Sequence, residues 1–122
     1  MSNIQVKITL SDKRLEEGEL QEKIENLLED IQEQTEVESA GLLPVENTKT
    51  GAKSIGGFLL GVLTAEIKAV NIKSFFRFLS DRLLGKTIEL EVTANGKTLK
   101  VKASSADELN TVIKTVQEFV GE

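Results

Sequence analysis

No cysteine and no histidine occur in this chain, so the thiolate and imidazole groups that most often attack carbonyls, shuttle protons or bind transition metals near neutral pH are missing. That removes disulfides, zinc sites and Ser-His-Asp chemistry together. Gly51-Ala52-Lys53-Ser54, ahead of an apolar segment, has the residue types of a phosphate loop. A phosphate loop, however, needs glycine directly before the lysine and a second glycine five residues before the first. Neither stands there. Lys49-Thr50-Gly51 matches the third box of penicillin-binding enzymes, but the Ser-x-x-Lys that supplies their nucleophile is absent from the chain. Carboxylates are abundant, yet most lie on one helix face open to water, without the desolvation that raises a pKa for general acid work. Glu66 is the exception. It projects into an apolar stripe beside Phe58, Leu59 and Val62, where its place near a helix end lets it reach solvent. The expectation is a chain that is not an enzyme and carries no catalytic residue, cofactor or metal.

Charge is distributed unevenly along the 122 residues. Residues 1–46 hold 4 basic and 12 acidic side chains and residues 47–122 hold 11 and 8, so a segment of net −8 precedes one of net +3. Most of the acid falls on one helix, where it reads as a solvated face, with docking to a basic partner as the alternative. The overall acidity, with a pI near 4.9, argues against nucleic acid as a partner, since phosphate affinity needs a basic footprint. A hydrophobic content of 39% is sufficient for one core. The expected organisation is a single α+β domain over 1–122. The start runs straight into a strand with no basic and apolar leader, so the expected compartment is the cytoplasm.

The elements follow from periodicity. Ile4, Val6, Ile8 and Leu10 alternate with Gln5, Lys7 and Thr9, the period of two of a strand with one buried face. Residues 19–34 place Leu20, Ile24, Leu27, Leu28 and Ile31 at helical spacing. Within 37–45, Leu42-Leu43-Pro44-Val45 has the composition of a strand that Pro44 confines to a sheet edge. Residues 47–53 read as a flexible loop. Helical projection of 54–69 puts Ile55, Phe58, Leu59 and Val62 on one side, Leu60, Leu63 and Ile67 beside them, and Gly57, Gly61 and Ala65 in a small-residue stripe. Such a helix, with almost no polar face, belongs in the centre of a structure or against a partner. A second helix over 71–84 buries Ile72, Phe75, Phe76, Leu79 and Leu83 and stops at Gly85. Phe78 lies away from that stripe beside Arg82, the position of an exposed aromatic anchor unless a wide core covers it.

The hairpin is the clearest local signal. Ile88, Leu90 and Val92 lead to Asn95-Gly96, a type I′ turn, and Leu99, Val101 and Ala103 lead away from it. Counting outward from the turn opposes Val92 to Leu99, Leu90 to Val101, Glu91 to Lys100 and Glu89 to Lys102, giving one apolar face and one face of opposite-charge pairs. Ser105 and Glu108 then stand at capping-box spacing, ahead of Leu109, Val112, Ile113, Val116 and Val120. The expected fold is two-layer α+β: a three- or four-stranded antiparallel sheet with about four helices mainly on one face.

This order of elements resembles the bacterial effector-associated constant component family. The resemblance runs through Ile4 to Leu10, residues 51–63, Phe75-Phe76-Arg77-Phe78-Leu79 to Arg82, Thr93 to Ala103 and the closing helix. The chain departs from the family pattern in lacking a tryptophan, an arginine-rich end to its third helix, and a proline-rich loop before the apolar helix. The resemblance implies a small non-enzymatic component of NTP-dependent bacterial conflict systems, beside peptidase-like effectors and regulatory NTPases. The expected function is therefore an adaptor or regulatory subunit with a protein partner, with homo-oligomers also open to it. Phe58, Leu60, Leu63, Phe78 and Arg82 are the candidate interface residues. The alternative is a membrane-active component that releases an apolar helix pair over 54–84. The apolar run 55–65 weighs against it, since eleven residues of helix cover only about half of a 30 Å bilayer core.

Overall fold

A computed structural model describes residues 3–44, 54–55, 57–83 and 85–120; the loop expected over 47–53 lies outside the described residues. The elements run β1 (Asn3–Leu10), α1 (Glu17–Gln32), β2 (Val37–Pro44), β3 (Ser54–Ile55), β4 (Phe58–Lys68), a 3-10 turn (Ala69–Asn71), α2 (Ile72–Leu83), β5 (Ile88–Ala94), β6 (Lys97–Ala103) and α3 (Ala106–Val120). Five strands form one antiparallel sheet in the order β2-β4-β1-β5-β6, and the two-residue β3 pairs with β4. The class is α+β, with more strands and fewer helices than the sequence analysis expects.

One element accounts for that difference. The segment expected as a helix over 54–69 is strand for most of its length. Leu63, Ala65 and Ile67 are buried while Thr64 and Glu66 are only half-buried and Lys68 is exposed, which is a period of two within the apolar run. Gly57 and Gly61 have φ of 86° and 67°, a left-handed conformation that an α-helix cannot contain and that glycine enters without steric cost. The glycine spacing that mimics a helical stripe therefore marks a turn and an irregularity in a strand. Gly61 falls where the β2–β4 register jumps between Leu42↔Leu63 and Pro44↔Phe58. It also lies where β4 passes so close to the end of β1 that a Cβ on Gly61 would meet the Leu10 carbonyl oxygen at 2.9 Å.

The core fills the side of the sheet that the helices cover. Ile4, Val6, Ile8 and Leu10 from β1, Leu63, Ala65 and Ile67 from β4, and Ile88, Leu90, Val92 and Ala94 from β5 meet Ile24, Leu27 and Ile31 of α1, the stripe Ile72, Phe75, Phe76, Leu79 and Leu83 of α2, and Leu109, Val112 and Val116 of α3. Phe75 and Phe76 stack edge to face, ring centroids 5.6 Å apart at 66°, an arrangement worth about 0.5–1.5 kcal/mol beyond the area it buries. On the opposite face, Gln5, Lys7, Thr64, Glu66 and Glu91, with Ala40 and Leu43 of β2, border a shallow depression of about 450 Å³ whose lining is polar and apolar in equal part. Glu66 thus stands on the open face of β4, not in an apolar helical stripe, and accepts a hydrogen bond from Asn3 Nδ2 at 3.0 Å.

The ends of the elements are set by local chemistry. α1 opens on a capping box between Glu16 and Glu19. The Ser105 hydroxyl accepts from the Glu108 N–H at 3.2 Å, while the Glu108 carboxylate accepts from the Ser104 N–H at 2.7 Å. Gly85, at φ 79°, lets Lys86 N–H return to the Leu83 carbonyl at 3.0 Å and closes α2. Asn95 and Gly96, at φ 55° and 76°, form the type I′ turn, and every residue opposition expected for the hairpin is present.

Candidate interaction surface

The five residues singled out from the sequence are not brought together. Leu63 is 0% exposed in the core beneath β4, because on a strand it shares the buried face with Ala65 and Ile67. It offers no surface to a partner. Phe58, at 37% exposure, and the half-buried Leu60 lie at the start of β4, and Leu60 borders an open depression with Leu15, Leu20, Leu59 and Val62. Phe78 and Arg82 belong to α2 and face other neighbours. The Arg82 guanidinium carbon lies 5.0 Å from the Phe78 ring centroid, and Arg82 Nε reaches Asp30 Oδ2 of α1 at 3.5 Å. Phe78 is half-buried against the core, so this pair links two helices across their outer surface.

Among the described residues the exposed large apolar side chains are Phe58 and Val70. Phe58 opens β4, a strand of 11 residues, and Val70 lies in the 3-10 turn beyond its end, so the length of the strand separates them, roughly 30 Å at about 3.3 Å per residue. They do not form one apolar patch. No helix among the described residues is long and apolar enough to cross a membrane, and the first member of the helix pair expected over 54–84 is a strand.

A polar cluster unseen in the sequence pattern lies where β1 ends. Asp12, 2% exposed, accepts hydrogen bonds from Arg14 N–H at 3.1 Å and Arg14 Nε at 2.8 Å on Oδ1, and from Arg14 Nη2 at 2.6 Å on Oδ2. The hydrogen bonds from the Arg14 side chain, then from its backbone, lower the Asp12 pKa to about 2, and Asp12 in turn raises that of Arg14. Arg14 Nη2 also donates to the Gly85 carbonyl at 2.9 Å, fastening this loop to the end of α2. Such an acid stays ionised at neutral pH and serves to hold the chain. Asp-x-Arg directly after a strand is its only signal, since the fork closes from residue i to i+2.

Gln21 is the second such residue. It is 4% exposed, and its Oε1 accepts the Gly61 N–H at 2.8 Å, satisfying a backbone donor that the strand irregularity leaves without a ladder partner. Its signal is positional: Gln21 falls in the row Gln21, Ile24, Leu27, Ile31 on the core side of α1. Among the described residues no group of His, Cys, Asp or Glu could hold a metal ion.

The sheet has two unlike edges. On β2 the register shifts twice and Pro44 removes a backbone donor, two devices that keep a strand from pairing outward. β6 is regular instead, opposed to β5 residue by residue from Lys97↔Ala94 to Ala103↔Ile88, and no described strand pairs with its outer side. A two-residue type I′ turn makes the pair that flanks it, Ala94 and Lys97, hydrogen-bonded, and the bonds then alternate. Leu99, Val101 and Ala103 therefore bond to β5, while Thr98, Lys100 and Lys102 direct their N–H and C=O groups outward. Thr98, Lys100 and Lys102 are exposed, whereas Leu99 and Val101 are half-buried on the helix side. Lys100 stands opposite Glu91 and Lys102 opposite Glu89, but among the described residues neither lysine closes an ion pair.

No family model matches the chain, and no curated protein or solved structure matches it.

Proposed function

We propose that this chain is a non-enzymatic protein-interaction component, an adaptor or regulatory subunit of a bacterial conflict or defence system that docks an effector or its NTPase in the cytoplasm. The observation that carries the reading is the outer edge of β6, a regular run of backbone donors and acceptors with which no described strand pairs, on a sheet whose other edge is bulged and ends in proline. An open, regular edge is a template onto which a partner adds a strand, with main-chain hydrogen bonds supplying affinity and alternate side chains supplying specificity. The effector and NTPase identities rest on the resemblance drawn from the sequence, whose element order departs from the observed one over residues 54–69, where a strand stands in place of the apolar helix. The membrane-active alternative requires a releasable apolar helix pair, and its first half is held as β4 between β1 and β2.

The test is affinity capture of the tagged chain from its native host lysate, with and without ATP, read by mass spectrometry beside a Lys100→Pro variant. Proline there deletes an outward N–H and no bond to β5. The adaptor reading expects one peptidase or NTPase with the native chain and its loss with the variant. Recovery of only the chain itself, or of lipid-associated material, overturns it.

A further inference from the structure

We infer that the outer edge of β6 binds an extended segment of a partner protein in which acidic residues alternate with apolar ones. The inference rests on the protein-docking reading above and specifies the partner's chemistry. On β6 the outward backbone groups and the positive charge belong to the same positions: Lys100 and Lys102, with Thr98, direct both their main-chain polar groups and their side chains to the accessible edge and open face. A strand added alongside hydrogen-bonds at these three positions and places its own side chains directly opposite theirs, within about 5–6 Å. Acidic residues there meet two lysines that close no ion pair among the described residues. The intervening side chains of the added strand point to the helix side, beside the half-buried Leu99 and Val101, where apolar groups extend the covered surface. β6 contains Lys97, Lys100 and Lys102 and no acidic residue.

The same lysines argue against a second copy of β6 as the occupant. Antiparallel self-pairing about an axis through Lys100 sets Lys100 against its own counterpart, and like charges directly opposite destabilise a ladder. Edge lysines generally prevent such association, and an acidic strand is the sequence class they leave admissible.

The experiment uses two capped, fluorescein-labelled peptides of equal length, one alternating glutamate with valine and one alternating lysine with valine, titrated by anisotropy into the full chain. The native protein is expected to bind the glutamate peptide at least about tenfold more tightly than the lysine peptide, with the preference shrinking as salt is raised. The Lys100→Glu/Lys102→Glu variant is expected to invert that preference. Lys73→Glu/Lys114→Glu, on exposed positions of α2 and α3 with the same change in net charge, is expected to retain it. Equal affinity for both peptides, binding of neither, or loss of preference in the α2/α3 variant overturns the inference. The docking reading fails separately. A partner captured from lysate that Lys100→Glu/Lys102→Glu retains and Lys100→Pro loses leaves that reading standing without the acidic strand, and the absence of any captured partner removes it whatever the peptides do.

Discussion

Gly61→Ala distinguishes the observed strand from the helix that the same residues suggest. Gly61 has φ of 67°, and holding an alanine in that conformation costs about 1–2 kcal/mol. Its Cβ would also lie 2.9 Å from the Leu10 carbonyl oxygen. That contact is with main chain, so relief requires β4 to move away from β1, at about 1–2 kcal/mol more. The expected loss is about 2–4 kcal/mol, or roughly 8–16 °C in melting temperature for a domain of this size. Gly18, exposed in the first turn of α1 with nothing within 4 Å of its Cβ position, is the internal control. There alanine should stabilise by about 0.5–1 kcal/mol. Urea unfolding followed by circular dichroism measures both. If residues 54–69 were helical, Gly61→Ala would also stabilise, by about 1 kcal/mol. A Gly61→Ala protein as stable as the native one therefore refutes the strand geometry.

Gln21→Leu should cost about 1–3 kcal/mol in the same assay, because it strands the buried Gly61 N–H; the Gly61 amide should then exchange faster, and unchanged exchange would show that this bond does not hold it. Asp12 has a folded pKa near 2, below its ordinary 3.8, so its stabilisation is fully present above about pH 4 and is lost as pH falls through 2. The urea midpoint difference between native and Asp12→Asn proteins should accordingly be constant from pH 7 to 5 and shrink toward pH 2; a difference independent of pH contradicts the Arg14 clamp. Ser11 Oγ is buried without a hydrogen-bond partner among the described residues, so Ser11→Ala should be neutral or stabilising by up to about 1 kcal/mol, and a clear loss would reveal a partner for that hydroxyl.

Where local chemistry and pattern agree, the fold is readable in the residues. Asn95-Gly96 supplies the turn, the alternation on both sides supplies the faces, and together they set the full β5–β6 register. Pro44 likewise places β2 at an edge, where it stands. Residues 58–63 carry no such agreement, being apolar or glycine throughout, which suits a buried helix and a central strand equally. The decision lay just beyond them, in Thr64, Glu66 and Lys68 alternating with Ala65 and Ile67, and in glycines whose left-handed φ no helix accepts. Reading that one segment as a helix adds a helix, removes the strand between β2 and β1, and turns the core residue Leu63 into a surface candidate.

The polar positions were hidden for a different reason. Gln21 acquires its role only when Gly61, 40 residues away in sequence, arrives beside it. The β6 edge is half legible: its lysines and its register follow from the hairpin, but that its outer side is free depends on where the other strands pair.

Amide hydrogen exchange of the chain, alone and in complex with its captured partner, tests the β6 docking surface most directly. In the free protein Thr98, Lys100 and Lys102 should exchange rapidly while Leu99 and Val101, bonded to β5, exchange slowly. Partner binding should slow the first three together. If a partner binds and those three amides continue to exchange at their free rates, the edge of β6 is not where this protein docks.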